Sequence, residues 1–130
     1  MRRDTVEFDD KVPIYFQIKQ YLYQAIITDR LKSGAQLPAV RQLAAELTVN
    51  VNTVQRALSE LIQEGVLVTR RGRGNFVTDD IKVLIDMKKR VIGSELDHLY
   101  RQLADLNLTA DEMKDAFSQY VDEQEEHHDN

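Results

Sequence analysis

The side chains in this chain best suited to chemistry are cations and hydrogen-bonding amides, not nucleophiles or metal ligands. Arg70, Arg71 and Arg73 cluster around Gly72 and Gly74. Three guanidiniums on a glycine-containing turn suit phosphates and a minor groove, whose narrow walls concentrate negative potential. A solvated basic turn is the bland alternative, and the Arg/Gly alternation disfavours it. A second set, Asn52, Thr53, Gln55 and Arg56, lies just upstream, with Ser59 and Gln63 continuing the same polar face. Asn and Gln can pair bidentately with adenine, and Arg can bind guanine or a phosphate. Arg41 either points to a phosphate or closes a local salt bridge with Glu46 or Asp29, and the sequence leaves both open.

Enzyme chemistry finds no support. There is no phosphate-cradling glycine loop, no H-E-x-x-H and no nucleophile elbow, and the chain has no cysteine. The histidines are His98, His127 and His128. The adjacent pair sits in an acidic tail with no rigid element to fix it, so neither a metal site nor a cofactor is expected.

The polar sets need elements to hold them. Pro13 suits the first turn of a helix, and Ile14, Ile18, Leu22 and Ile26 recur every four residues, so 13–30 reads as a helix that Ser33-Gly34 breaks. After Pro38 comes a short helix with Val40, Leu43, Ala44 and Leu47 on one face. Asn50 is a good N-cap for a third helix. Its buried stripe, Val54, Ala57, Leu58 and Leu61, turns Asn52, Arg56, Ser59 and Gln63 outward, and Gly65 ends it. Residues 66–70 and 75–78 are β-prone runs around the Arg/Gly turn and predict a hairpin. Three helices and a hairpin in this order make a winged helix-turn-helix.

From Asp79 the pattern changes. Asp79 or Asp80 can cap a long helix reaching about Leu106. Ile85, Ile92, Leu99 and Leu106 recur every seventh residue, with Leu96 and Leu103 between them, a spacing suited to packing on a partner helix. Gly93 suggests a close approach or a bend. Thr109 and Glu112 form a capping box for a last helix through Met113, Phe117, Tyr120 and Val121. The tail from Glu123 is expected to be disordered. The fold class is therefore mainly α with one small hairpin: a winged domain over 1–78 and a two-helix segment over 79–130.

The chain's 130 residues are 42% apolar and 30% charged, with a net charge of −5. That total hides an asymmetry. Residues 1–78 carry 11 Lys and Arg against 8 Asp and Glu, a net of +3, whereas 79–130 carry 6 against 14, a net of −8. A basic front and an acidic rear suggest a polyanion partner for the front alone. No apolar run is long enough to span a membrane, and the N-terminus lacks a signal-peptide core, so a cytoplasmic protein is expected.

Four stretches resemble the N-terminal domain of the GntR family of bacterial repressors: Pro13 to Ile18, Leu37 to Ala44, Val51 to Leu58 and Gly65 to Val77. The short helical remainder resembles the family's YtrA-like branch, whose members dimerise through such a tail and lack a large effector domain. The resemblance implies DNA contacts from Arg41, from Asn50, Val51, Asn52, Thr53 and Gln55, and from Arg71 and Gly72. Two positions depart from the pattern. Ser33 stands where the family usually has Pro, and Val51 stands where many members carry Arg or Ser, so a contact there is missing or apolar, such as one to a thymine methyl.

The expected protein is a homodimeric repressor binding an inverted repeat in double-stranded DNA. Ile85, Ile92, Leu96, Leu99, Leu103, Leu106 and Phe117 would form its dimer seam. A winged helix serving only as a protein-docking module is the competing reading, and the arginines of the wing argue against it. The helical segment shows no obvious ligand pocket. A small-molecule effector in a crevice of the dimer, or none, both remain open.

Overall fold

The computed structural model describes residues 8–128. The first seven residues, expected to be part of an arm or frayed start, lie outside them, as do the last two. The elements run α1 (Ile14–Ile27), α2 (Val40–Leu47), α3 (Val51–Gln63), β1 (Leu67–Arg70), β2 (Gly74–Val77), α4 (Ile81–Asp105) and α5 (Ala110–His128). Two compact units result, one ending at Lys89 and one starting at Arg90. The division falls within α4, past the boundary at 78 that the change of sequence pattern suggests. Met87 is the reason: it is 1% exposed, so the first turns of α4 belong to the winged unit's core.

In the first unit α1 buries Ile18, Leu22, Ala25 and Ile26, and α3 buries Val54, Ala57, Leu58 and Leu61. Each of the Ile, Leu and Val side chains among them contributes about 1.5–3 kcal/mol of hydrophobic stabilisation. Pro13 stands just before α1. The helix ends earlier than its apolar period suggests, because Asp29 turns left-handed with φ 61°, and Asp tolerates that conformation better than most residues. Gly65 ends α3 as expected. Its φ of 83° lets its N–H reach the Ile62 carbonyl while Val66 N–H reaches that of Leu61, which is a Schellman closure. The same pair of bonds closes α2 around Thr48, whose φ is 56°, and this sets the turn between α2 and α3.

β1 and β2 pair antiparallel, from Leu67 opposite Val77 to Arg70 opposite Gly74. The hairpin is not alone. Residues 34–37 run along β2, with Gly34 N–H on the Val77 carbonyl, Val77 N–H on that of Ala35 and Leu37 N–H on that of Asn75. Gln36 bridges Phe76. This third edge was not expected, since Ala35 to Pro38 lacks alternation. Glycine suits position 34 because its φ of 78° lies in the left-handed region that side chains disfavour.

In the second unit, Asn107 takes φ 64° at the turn after α4. Thr109 and Glu112 form the expected reciprocal capping box, at 2.8 and 3.2 Å. α4 is unbroken at Gly93, where an added Cβ would meet no atom within 4 Å. Here α5 corrects the expected disorder from Glu123: it stays helical to His128. Its Glu and Gln residues are good helix formers, and Gln119 Nε2 donates to Glu123 Oε1 at 3.4 Å. α5 buries none of its residues. Leu99, Leu103, Leu108 and Met113 are half-buried, while Ile92, Leu96, Leu106 and Phe117 are exposed.

Candidate nucleic-acid interface

The N-terminus of α3 carries the expected amide set. Asn50 accepts the Asn52 N–H on Oδ1 at 2.7 Å, so its side-chain oxygen caps the helix while its amino group stays free to donate to a ligand. Asn52 and Gln55 are exposed, and Val51 and Thr53 are half-buried. The buried stripe of α3 holds this end outward against the core. Arg41 is exposed near the start of α2 and makes no ion pair among the described residues. Glu46, its anticipated partner, instead accepts from Gln42 Nε2 at 3.3 Å.

Arg56 is exposed as expected, yet it also has partners on α1 and α3. Its guanidinium carbon lies 3.7 Å from the centroid of the Tyr15 ring on α1, and its Nε is 3.7 Å from Glu60 Oε2. It heads a run of contacts between the two helices. Lys19, only 8% exposed, places Nζ 2.9 Å from Glu60 Oε1 and 2.7 Å from Glu64 Oε2. Tyr23 donates its hydroxyl to Glu64 Oε1. Burial works against the Lys19 charge, but its bonds to Glu64 and Glu60 outweigh that penalty and hold its pKa above the ordinary lysine value. The Lys19 hydrogen bond, in turn, lowers the pKa of Glu60. None of Tyr15, Lys19, Tyr23, Glu60 and Glu64 stood out in the sequence for this role. A signal was present in the matching four-residue spacing of Tyr15, Lys19 and Tyr23 and of Arg56, Glu60 and Glu64.

The wing presents its arginines unequally. Arg70 stacks 4.6 Å from the Phe76 centroid and lies 3.9 Å from Asp79 Oδ2. Arg73 sits 5.9 Å from the same ring, and its carbonyl accepts from Gln36 Nε2. Arg71 makes no ion pair or ring contact among the described residues. It is exposed beside Gly72, whose φ is 74°. The turn is closed by Arg73 N–H on the Arg70 carbonyl at 2.9 Å. Phe76 and Gln36 thus brace the turn while Arg71 projects from it.

Four of the residues expected in a seam, Leu96, Leu99, Leu103 and Phe117, lie together in the second unit. Leu99 and Leu103 line an open groove of about 560 Å³ together with Gly93, Leu96, Tyr100 and Phe117. The sequence showed no such pocket, because its lining comes from two helices. Ile85 belongs to the first unit and is exposed there. No helix among the described residues is long and apolar enough to cross a membrane.

Residues 14–77 match the model of the bacterial regulatory proteins of the gntR family. The HTH-type transcriptional repressor YtrA of Bacillus subtilis is 39% identical over 88 residues, which are 67% of this chain and 68% of that protein. A GntR family transcriptional regulator from Listeria monocytogenes superposes with a TM-score of 0.78 at 29% identity, over 86% of this chain and 98% of that one. The AraR DNA-binding domain, solved in complex with operator ORX1, superposes with a TM-score of 0.50 at 25% identity, over 52% of this chain and 81% of that one. The family and these relatives are transcription regulators and not enzymes. With its winged helix-turn-helix and short two-helix tail, the chain belongs to the gntR family of DNA-binding bacterial transcription regulators, in the YtrA-like branch.

Proposed function

We propose that this regulator is a repressor that binds an inverted-repeat operator as a homodimer in the cytoplasm. α3 enters the major groove, with Asn52, Thr53 and Gln55 at the base edges and Asn50 and Val51 beside them. Arg71, helped by Arg70, Arg73 and the Gly72 backbone, follows the phosphates or the minor groove. Arg41 and Arg56 meet phosphates at the rims. The observation that carries this reading is the exposed amide set at the head of a helix whose back is buried, one hairpin away from an unpaired arginine. YtrA is named a repressor, and AraR's domain binds an operator, which supports the same role here.

The homodimer is inferred from the second unit. Most of a helix's stability in a protein comes from packing its apolar face, yet no residue of α5 is fully buried. Leu96 and Phe117 are 53% and 48% exposed on the rim of the apolar groove. A second copy presents the same apolar surface, so a two-fold contact would cover both. Its symmetry would match half-sites about 10 bp, or a multiple of that, apart. The groove's size also falls in the range of small-ligand sites, about 300–1,000 Å³, so an effector competing for it would oppose dimerisation.

Selection of binding sites from fragmented bacterial DNA with the purified protein, in rising salt, tests the proposal. Enrichment of an inverted repeat supports it. Recovery of no preferred sequence would leave only non-specific binding and overturn operator recognition.

A further inference from the structure

We infer that Tyr15 is a positioning residue for DNA binding: its ring holds the Arg56 guanidinium as a phosphate contact beside α3. The inference rests on the DNA-binding reading above and assigns Arg56 to the backbone, not to a base. Arg56 lies one turn beyond Asn52, on the same face, but the residues that follow it at four-residue spacing, Glu60 and Glu64, face α1. It therefore stands where the groove-facing surface of α3 meets α1. A helix lying in a major groove has the phosphates of the groove's two walls at its flanks and the bases beneath it. The planar guanidinium, 3.7 Å from the ring centroid, is held at the flank and away from the groove floor.

The surrounding charges favour an anion at this place. Lys19 holds Glu60 Oε1 at 2.9 Å, whereas Arg56 is 3.7 Å from the other oxygen. Glu60 is thus satisfied mainly from the buried side. The Arg56 side chain is 63% exposed, against 33% for Glu60, 27% for Glu64 and 10% for Lys19. The outermost charge of the group is positive and keeps donors to spare. Stacking on a ring leaves the edge of the guanidinium free to donate, and a fixed rotamer loses less entropy on binding.

The test uses the full chain with a mixed-sequence duplex and with a selected operator, across a salt series. Arg56→Gln should reduce the slope of log affinity against log salt by about 0.9, one phosphate's worth, on both duplexes. Tyr15→Leu should weaken both by about threefold, the scale of an exposed cation–π contact, and Tyr15→Phe should restore them. In the Arg56→Gln background, Tyr15→Leu should change nothing further. Thermal unfolding of each variant distinguishes a failure to fold from a failure to bind. An unchanged slope with altered base preference in Arg56→Gln, or full additivity of the two substitutions, overturns the inference and leaves DNA binding intact. A wild-type chain that binds neither duplex at low salt overturns the DNA-binding reading and this inference together.

Discussion

The guanidinium carbon of Arg56 lies over the Tyr15 ring, 3.7 Å from its centroid, and the two residues head matching series of side chains, one on α1 and one on α3. Lys19 follows with Glu60 and Glu64, and Tyr23 with Glu64. The α3 helix that carries the amide set is thus fixed in rotation by polar contacts on one flank and by Val54, Ala57, Leu58 and Leu61 beneath. A rigid element presents side chains to a ligand more accurately than a loop does.

The Lys19 cluster should make stability pH-dependent on the acid side. Glu60 has a folded pKa below its ordinary value of 4.5, so its contribution is present above that value and is lost as pH falls through the lower, folded pKa. Lys19→Met should lower stability at neutral pH, because Glu60 and Glu64 lose their shared cation and regain only part of its hydrogen bonding from water. It should also flatten the acid-side loss. Urea unfolding from pH 3 to 7 measures both. Equal slopes in wild type and variant would count against the cluster.

Thr48 is a β-branched residue held left-handed, with φ 56°, where helices commonly place glycine. The conformation costs an L-residue about 1–2 kcal/mol, and the extra freedom of an unfolded glycine offsets part of any gain. Thr48→Gly should therefore stabilise the first unit by about 0.5–1 kcal/mol. A lower melting temperature in calorimetry would show that Thr48 contributes through its side chain instead.

The arginines of the wing should not be equivalent. Arg71→Ala should lower the salt slope of DNA binding by about 0.9 on specific and random duplexes alike. Arg70→Ala should lower it less, because Asp79 lies 3.9 Å from that guanidinium. Anisotropy titrations over a salt series distinguish the two, and affinity that survives Arg71→Ala at every salt concentration would remove the wing from the interface.

At the head of α3, Asn52→Ala and Gln55→Ala should cost discrimination and spare general affinity, by about 1–3 kcal/mol for each base no longer read. Competition between the selected operator and scrambled duplex reads this directly. A uniform loss on both would reassign these amides to the backbone.

If the proposed dimer forms, Leu96→Asp and Phe117→Asp should dissociate it in sedimentation without unfolding the first unit, because both side chains are exposed within the chain. Leu99 and Leu103 are half-buried, so charging them would also disturb the packing of α4 against α5. A Leu96→Asp/Phe117→Asp chain that still sediments as a dimer would place the contact elsewhere.

Much of the fold was legible because its signals are local. Asn50 caps α3 through a bond to Asn52, Gly65 closes α3 with its own last turn, and Thr109 and Glu112 bond each other across three residues. Each feature needs only neighbours in the chain, so residue type and spacing suffice. The Arg/Gly turn is legible as a hairpin tip for the same reason. Local signals mislead where they are weak: α1 ends at Ile27, ahead of the left-handed Asp29, and the Glu-rich end of α5 stays helical although polarity suggested disorder.

The sequence by itself determined the order of the elements, the caps, the basic front and acidic rear, and the identity of the amide set. Tertiary structure alone decided which arginines stand free. Lys19 and Glu60, and Tyr23 and Glu64, are 41 positions apart, and residues 34–37 reach β2 across the whole of α2 and α3. Such contacts follow from the packing angle of helices and from which face the core buries, and neither is written in local spacing. Arg56 and Arg71 look alike as residues in a polar stretch. One lies on a tyrosine of another helix and the other projects from a braced turn, because burial of the α1 and α3 stripes brings Tyr15 to the first, whereas no described residue pairs with the second.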